Sequence, residues 1–240
     1  MEPGKYEIQF GGSLGSQARE WFDGRTERNL MKAVILNGSP RKNGRIATIL
    51  AAVGEALSES GQVQRFDAYN LQVKPCLGCM KCRPNSNCVL PVDDAQRVRN
   101  AIESADVVVV GTPTYWGNMS APLKAVFDRN VTLFETLESG RPAPRLKGKT
   151  AAIVATTGAW WPFGFMRTSG GGAVKSIDTV LRAGGIKVKA KVIVSGTRQN
   201  VSTIEELRSI GRKISKRLSQ RRSNEQKRGQ DDKSLQPVSS

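Results

Sequence analysis

The sequence predicts a parallel α/β sheet covered by helices on both faces, and two observations carry that expectation. Unbroken apolar runs within 31–36, 106–110 and 149–155 lack a helical stripe and empty into turns rich in Gly, Ser, Pro and Thr, which is how strands buried on both faces read. Stretches with helical spacing separate them, so strands and helices alternate five times, as right-handed crossovers in one sheet require. Ligands of such sheets bind beyond the carboxyl ends of the strands. The unusual turns follow the first, third and fourth strands, so all three open on one rim.

The first strand, Met31-Lys32-Ala33-Val34-Ile35-Leu36, runs into Asn37-Gly38-Ser39-Pro40-Arg41-Lys42-Asn43-Gly44. A helix is expected from Arg45 to about Ser60, with Gly61 as its stop. Its N-terminus and the N–H groups of the turn can converge on one anion. Ser39 adds a hydroxyl, Asn43 an amide, and Arg41 a planar fork of donors matched to phosphate oxygens. An ordinary strand-to-helix connection with a capping Ser is the alternative, and the other stretches decide between them.

Val63-Gln64-Arg65-Phe66-Asp67 alternates apolar with polar residues and suits an edge strand. Asp93-Asp94 caps a helix reaching about Ser104, with both acids well placed for the helix dipole. Asp106 to Val110 is a central strand by its β-branched run. It opens into Gly111 to Ser120, followed by a helix from Ala121 to about Leu133. A connection containing Pro and Arg, Gly140 to Lys147, leads to the strand Lys149 to Ala155. The loop after it, 156–165, concentrates aromatics in a chain that holds only 6% of them. Gly172 to Ala183 reads as a helix stopped at Gly184-Gly185, Val188 to Val194 as the opposite edge strand, and Ser202 to about Leu218 as the last helix. Residues 1–30 carry one apolar cluster, Trp21-Phe22, without a period, and read as an extension. The folded domain is expected over 31–219, and the polar, charged segment 220–240 is expected to be disordered.

Composition narrows the function. The 240 residues suffice for one α/β core plus tails. No apolar run is long enough to span a bilayer and the N-terminus has no signal pattern, so a cytoplasmic protein without a membrane partner is expected. The chain has no histidine, which excludes Ser-His-Asp and Cys-His nucleophile systems, His-ligated zinc hydrolases and His-ligated haem. If the protein is an enzyme, a cofactor does the chemistry. The formal charge of +16 is spread over helix faces and the run Lys213 to Arg222, without interleaved aromatics. It reads as a solvated basic surface suited to anionic substrates or cofactors rather than a nucleic-acid interface.

Taken together, Asn37-Gly38-Ser39-Pro40-Arg41, then Pro113-Thr114-Tyr115-Trp116-Gly117-Asn118-Met119-Ser120-Ala121-Pro122-Leu123-Lys124 with Phe127-Asp128-Arg129, resemble the NADPH-dependent FMN reductase family of flavodoxin-like proteins, over about Met31 to Val194. The resemblance implies a flavodoxin-like fold, a five-stranded parallel sheet in the order 2-1-3-4-5, with FMN as cofactor and NAD(P)H as electron donor. It assigns Ser39, Arg41 and Asn43 to the FMN phosphate. The ring falls to Pro113, Thr114, Tyr115, Trp116, Gly117, Asn118 and Met119, and the closing loop to Thr157, Gly158 and Trp160. No catalytic side chain is assigned. Core packing is the alternative for Tyr115-Trp116, and Gly117-Asn118 directly after them favours a loop facing the ring. One departure stands out: many relatives carry a small polar pair where this chain has Arg45 and Ile46. Arg45 either replaces neutral hydrogen bonds to phosphate with a charge-assisted one or marks a weakened site.

Cys76, Cys79, Cys82 and Cys88 have the spacing C-x2-C-x2-C-x5-C, compact enough for one loop to wrap a single metal centre and closer to iron-sulfur than to structural zinc usage. The motif resembles that of the iron-sulfur flavoproteins, a branch of the same family whose loop holds a 4Fe-4S cluster near FMN. Trp161-Pro162-Phe163 is instead similar to reductases in which no cluster is implied, and free or redox-active thiols lining the flavin site are the other reading. The first functional expectation is an FMN-dependent oxidoreductase passing electrons from NAD(P)H to a quinone-like, flavin or other small acceptor. The alternatives are an iron-sulfur flavoprotein exchanging electrons with a ferredoxin-like partner, or a non-enzymatic electron carrier. The basic charge opposes the carrier, which typically presents an acidic docking face. Relatives pair protomers around the flavin, which implies a homodimer or homotetramer.

Overall fold

A computed structural model describes residues 30–83, 87–138, 140–160, 163–196, 208–209 and 212–218. The extension up to residue 29 and the tail from 219 onward lie outside the described residues. The elements are β1 (Met31–Asn37), α1 (Arg45–Ser58), β2 (Gly61–Asp67), α2 (Asp94–Ser104), β3 (Val107–Pro113), α3 (Ala121–Arg129), α4 (Val131–Phe134), β4 (Glu135–Glu138), β5 (Arg141–Pro144), β6 (Thr150–Thr156), α5 (Gly170–Ala183) and β7 (Lys187–Val194). Five strands form one sheet in the order β2-β1-β3-β6-β7, every neighbour parallel. The expected fourth and fifth strands are β6 and β7, so the flavodoxin-like order holds.

Strand alternation divides the core in two. Val34, Leu36, Val108, Val110, Ile153 and Ala155 face a layer built by α2, α3 and α5, with Val98, Ile102, Leu123, Phe127, Ile177 and Leu181 buried against them. Ala33, Ile35, Val107, Val109, Ala152 and Val154 face α1, through Ile46, Ile49, Leu50, Val53 and Leu57. Residues 212–218 are helical, and Ile214 and Leu218 join that second layer. Both faces of β1, β3 and β6 are thus covered, which explains why these strands show apolar runs instead of alternation.

The fold departs from expectation in three places. Gly61 is the first residue of β2, not a stop beyond α1, which ends at Ser58. A Cβ on Gly61 would lie 1.9 Å from the Met31 carbonyl oxygen, so the glycine serves the close approach of β2 to β1. The expected helix from Ala121 to Leu133 breaks at Asn130, whose amide nitrogen donates to the carbonyls of Ala95 (3.1 Å) and Val126 (3.0 Å). The short α4 resumes beyond it. Finally, β4 and β5 pair as an antiparallel hairpin where a plain connection was expected. Pro142 and Pro144 lie in β5, and proline in a run speaks against a strand except at an edge.

Candidate functional site

The carboxyl ends of β1, β3 and β6 stand side by side, with Asn37 opposite Gly111 and Pro113 opposite Thr156. The loops leaving them are fixed by backbone hydrogen bonds to the neighbouring strand. Gly38 N–H donates to Gly111 O (2.7 Å), Thr114 N–H to Thr156 O (2.8 Å) and Thr157 N–H to Val194 O (3.0 Å). Among them opens a cavity of about 640 Å³ lined by Ser39, Pro40, Arg41, Asn43, Gly44, Arg45 and Ile46 from the first loop. Pro113, Thr114 and Tyr115 line it from the second, and Thr156, Thr157, Gly158 and Gly196 close it.

The first loop presents donors suited to an anion. Asn37 accepts the Ser39 N–H at 3.0 Å and donates to Asp67 Oδ1 at 2.6 Å, and the Ser39 hydroxyl accepts the Arg41 N–H at 3.2 Å. The N-cap of α1 is Gly44, without a side-chain cap, and the first turn holds no acid, so its N–H groups and positive dipole end are left for a ligand. Arg45 sits there with one nitrogen, Nη2, donating to Gly196 O at 2.9 Å. Its Nη1 is buried without a hydrogen-bond partner among the described residues. Burial, then the charge of Arg41, pushes the Arg45 guanidinium below its ordinary value. Two guanidinium groups held together beside a bare helix N-terminus fit a phosphate dianion.

The second loop is a tight two-residue hairpin turn. Tyr115 and Asn118 exchange backbone hydrogen bonds of 3.0 and 2.9 Å, and both central residues have positive φ, +52° at Trp116 and +72° at Gly117, as a type I′ turn demands. A Cβ on Gly117 would meet the Arg167 carbonyl oxygen at 2.8 Å, so the turn rests on the backbone of the third loop. Trp116 is wholly exposed. In the third loop Thr157 Oγ1 and Ser169 Oγ lie 2.8 Å apart, and Thr157 Oγ1 accepts the Ala159 N–H at 3.2 Å.

Of the residues expected to bind FMN, the structure gathers Ser39, Arg41, Asn43, Arg45, Pro113, Thr114, Tyr115, Thr157 and Gly158 around the cavity. Trp116, Gly117 and Asn118 form the turn beside it, and Trp160 is two-thirds exposed. Met119 is buried in the core layer of α2, α3 and α5 and does not line the cavity. Sequence reasoning gave no role to Asn37, although an Asn ahead of Gly-Ser is a turn signal. It also missed the Gly196 carbonyl, which nothing local announces. FMN fits the cavity's donors: a buried unpartnered guanidinium nitrogen, the Thr114 hydroxyl, likewise buried without a partner among the described residues, and flat walls at Pro113 and Tyr115.

The four cysteines carry free thiols, Cys76 and Cys79 exposed, Cys82 and Cys88 half-buried. Among the described residues no three Cys, Asp or Glu side chains are grouped closely enough to hold a metal ion. Four thiolates are the donor set that an iron-sulfur cluster takes, though their placement in this structure does not gather three of them.

The family model for NADPH-dependent FMN reductase matches residues 31–197. The chain belongs to that family. Within this FMN reductase family, it is 35% identical over 130 residues to the iron-sulfur flavoprotein of Methanosarcina thermophila, covering 54% of this chain and 64% of that protein. The chain therefore spans just under two thirds of that relative's length. In fold it is similar to an azoreductase from Bacillus anthracis (TM-score 0.60, 17% identity, 80% of this chain and 100% of that one). The NAD(P)H:quinone oxidoreductase from Methanothermobacter marburgensis is comparably similar (TM-score 0.59, 21% identity, 78% and 98%). Among the described residues of this FMN reductase family member, no helix is long and apolar enough to cross a membrane.

Proposed function

We propose that this protein is an FMN-dependent oxidoreductase that takes reducing equivalents from NAD(P)H and passes them to a small acceptor, quinone-like, flavin or similar. The observation that carries the reading is the Arg45 nitrogen, buried and unpartnered among the described residues, at the bare N-terminus of α1, inside a cavity of mononucleotide size. Arg41, Arg45 and the loop amides would hold the phosphate, Pro113 to Tyr115 would flank the ring, and Thr157 and Gly158 would close over it. Bound there, FMN supplies hydride acceptance and electron release. The chain contributes binding, orientation and water exclusion, and with no histidine it leaves proton exchange to solvent. Mass spectrometry of the released cofactor together with NAD(P)H oxidation, with and without acceptor, tests this. FMN and acceptor-dependent turnover are expected, and FAD as the sole flavin or an acceptor-independent null rate would overturn it. A homodimer or homotetramer and a cytoplasmic location belong to the same reading. Sedimentation measures the first: Trp116, Phe163, Phe165 and Met166 leave half or more of their surface exposed near the rim, apolar area that a second subunit would cover.

A second reading adds a 4Fe-4S cluster on Cys76, Cys79, Cys82 and Cys88 and a ferredoxin-like electron partner. Four free thiols on one short loop favour it, as does the name of the Methanosarcina relative. Iron and acid-labile sulfide in anaerobically prepared protein decide it. If one cluster is present, each Cys→Ser variant loses iron to the same extent while keeping FMN. Unequal effects would assign the cysteines to free-thiol chemistry.

A further inference from the structure

Away from the rim, the Arg129 side chain is fully withdrawn from water, the most buried charged group among the described residues. One nitrogen, Nη1, donates to the Lys74 carbonyl at 2.8 Å and to Asp93 Oδ2 at 2.7 Å. Asp93 Oδ2 in turn accepts the Lys74 N–H at 3.1 Å, across 19 residues of chain. One step further out, Gln72 N–H donates to Asp94 Oδ2 at 2.8 Å and Asp94 N–H to Gln72 O at 3.3 Å. Residues 72–74 and 93–94 are thus the two legs of a loop, 75–92, that contains every cysteine of the chain. Higher up, Arg83 pairs with Glu135 at 3.4 Å.

We infer that Arg129 is the positioning residue of the cysteine loop: it closes the neck at Lys74 and Asp93 and so keeps the four thiols within one small ring, whatever centre they take. A buried cation is costly unless paired. This one has a single carboxylate partner, and its Nε and Nη2 are buried with no partner among the described residues. Replacing a buried ion pair by apolar side chains is often neutral or stabilising, so stability alone does not account for the guanidinium. Joining the legs removes most of the closure entropy of the loop and raises the effective concentration of each thiol for the others. None of these residues lines the flavin cavity, so the inference stands or falls apart from the flavin reading.

Full-length protein is compared as Arg129→Met, Arg129→Lys and Asp93→Asn. Two rates are read: tryptic cleavage after Lys81, inside the loop, and hydrogen exchange of 72–95 against that of β1, β3 and β6. Arg129→Met is expected to speed cleavage and loop exchange by about tenfold or more with sheet exchange within about twofold. Asp93→Asn, which keeps shape and removes charge, is expected to give about threefold, and Arg129→Lys a value between wild type and Arg129→Met. If Arg129→Met does not fold, Asp93→Asn decides by the same two rates. Unchanged loop rates, or sheet exchange rising by the same factor as the loop, would overturn the inference.

Discussion

The cavity at the sheet's rim and the cysteine loop present their donors in two different ways. Each cavity loop begins with a backbone hydrogen bond to the next strand, at Gly38, Thr114 and Thr157, so its shape is set by the sheet before any ligand arrives. The cysteine loop leaves from the end of a 3-10 turn, Ala68–Asn70, and is held by side chains at its neck. A site made of strand ends is preorganised. A site made of a closed ring fixes which donors meet but leaves their arrangement to the guest.

The sharpest way to break the first half of that comparison is Gly172→Ala. A Cβ there would lie 1.9 Å from the Arg167 carbonyl oxygen and 2.2 Å from that of Gly117, so backbone must move in both ring loops. A loss of about 3 kcal/mol and of bound FMN is expected; a melting curve and flavin stoichiometry check it. Arg45→Ala removes the buried guanidinium together with its bond to Gly196 O, with FMN affinity expected to fall by about 1.5 to 3 kcal/mol in a fluorescence titration and the melting temperature to fall by no more than one neutral hydrogen bond accounts for. Trp116→Gly removes a bulky side chain from positive φ, and a gain of about 1 kcal/mol is expected in urea unfolding. Lower FMN affinity in the same variant would show that the strained tryptophan serves the ligand.

Acid should separate the two regions. Burial pushes the Asp93 carboxyl up, but hydrogen bonds from the Ala95 and Lys74 amides and from Arg129, with the Arg129 charge, outweigh it and hold Asp93 below its ordinary value. A depressed folded-state value means that the stabilisation is present above the ordinary aspartate range and is lost as pH falls toward the lower folded value. Protection factors of the loop amides, which are free of the intrinsic pH dependence of exchange, are therefore expected to fall on acidification before those of the sheet do. The smallest effect is expected from trimming the chain to 31–219, which should leave circular dichroism and bound flavin unchanged; loss of either would give the Trp21-Phe22 segment a role in the fold.

Much of this was legible locally. Strands buried on both faces announce themselves as apolar runs, and the Asn37 to Gly44 and Pro113 to Asn118 loops carry their turn chemistry in the sequence. Met119 directly follows a Gly-Asn turn and so looks like loop in the sequence, while its side chain lies in the buried core cluster. The β4–β5 hairpin was hidden by two prolines. Asp93 was visible as an N-cap, a local role, whereas its pairing with Arg129 joins residues 36 apart. Arg45 and Gly196 are 151 apart. Such partners are chosen by topology, and no window of sequence contains both.

That separation also fixes an order of events during synthesis. The β1 and β2 strands can pair once Asp67 has left the ribosome, and the cysteines emerge after it. Arg129 comes 36 residues after Asp93, about 2–7 s later at a translation rate of about 5–20 residues per second. For that interval the loop has both legs but no clasp. The four thiols therefore meet solvent, oxidant and metal ions as an open segment first and as a ring only once α3 has folded onto the sheet.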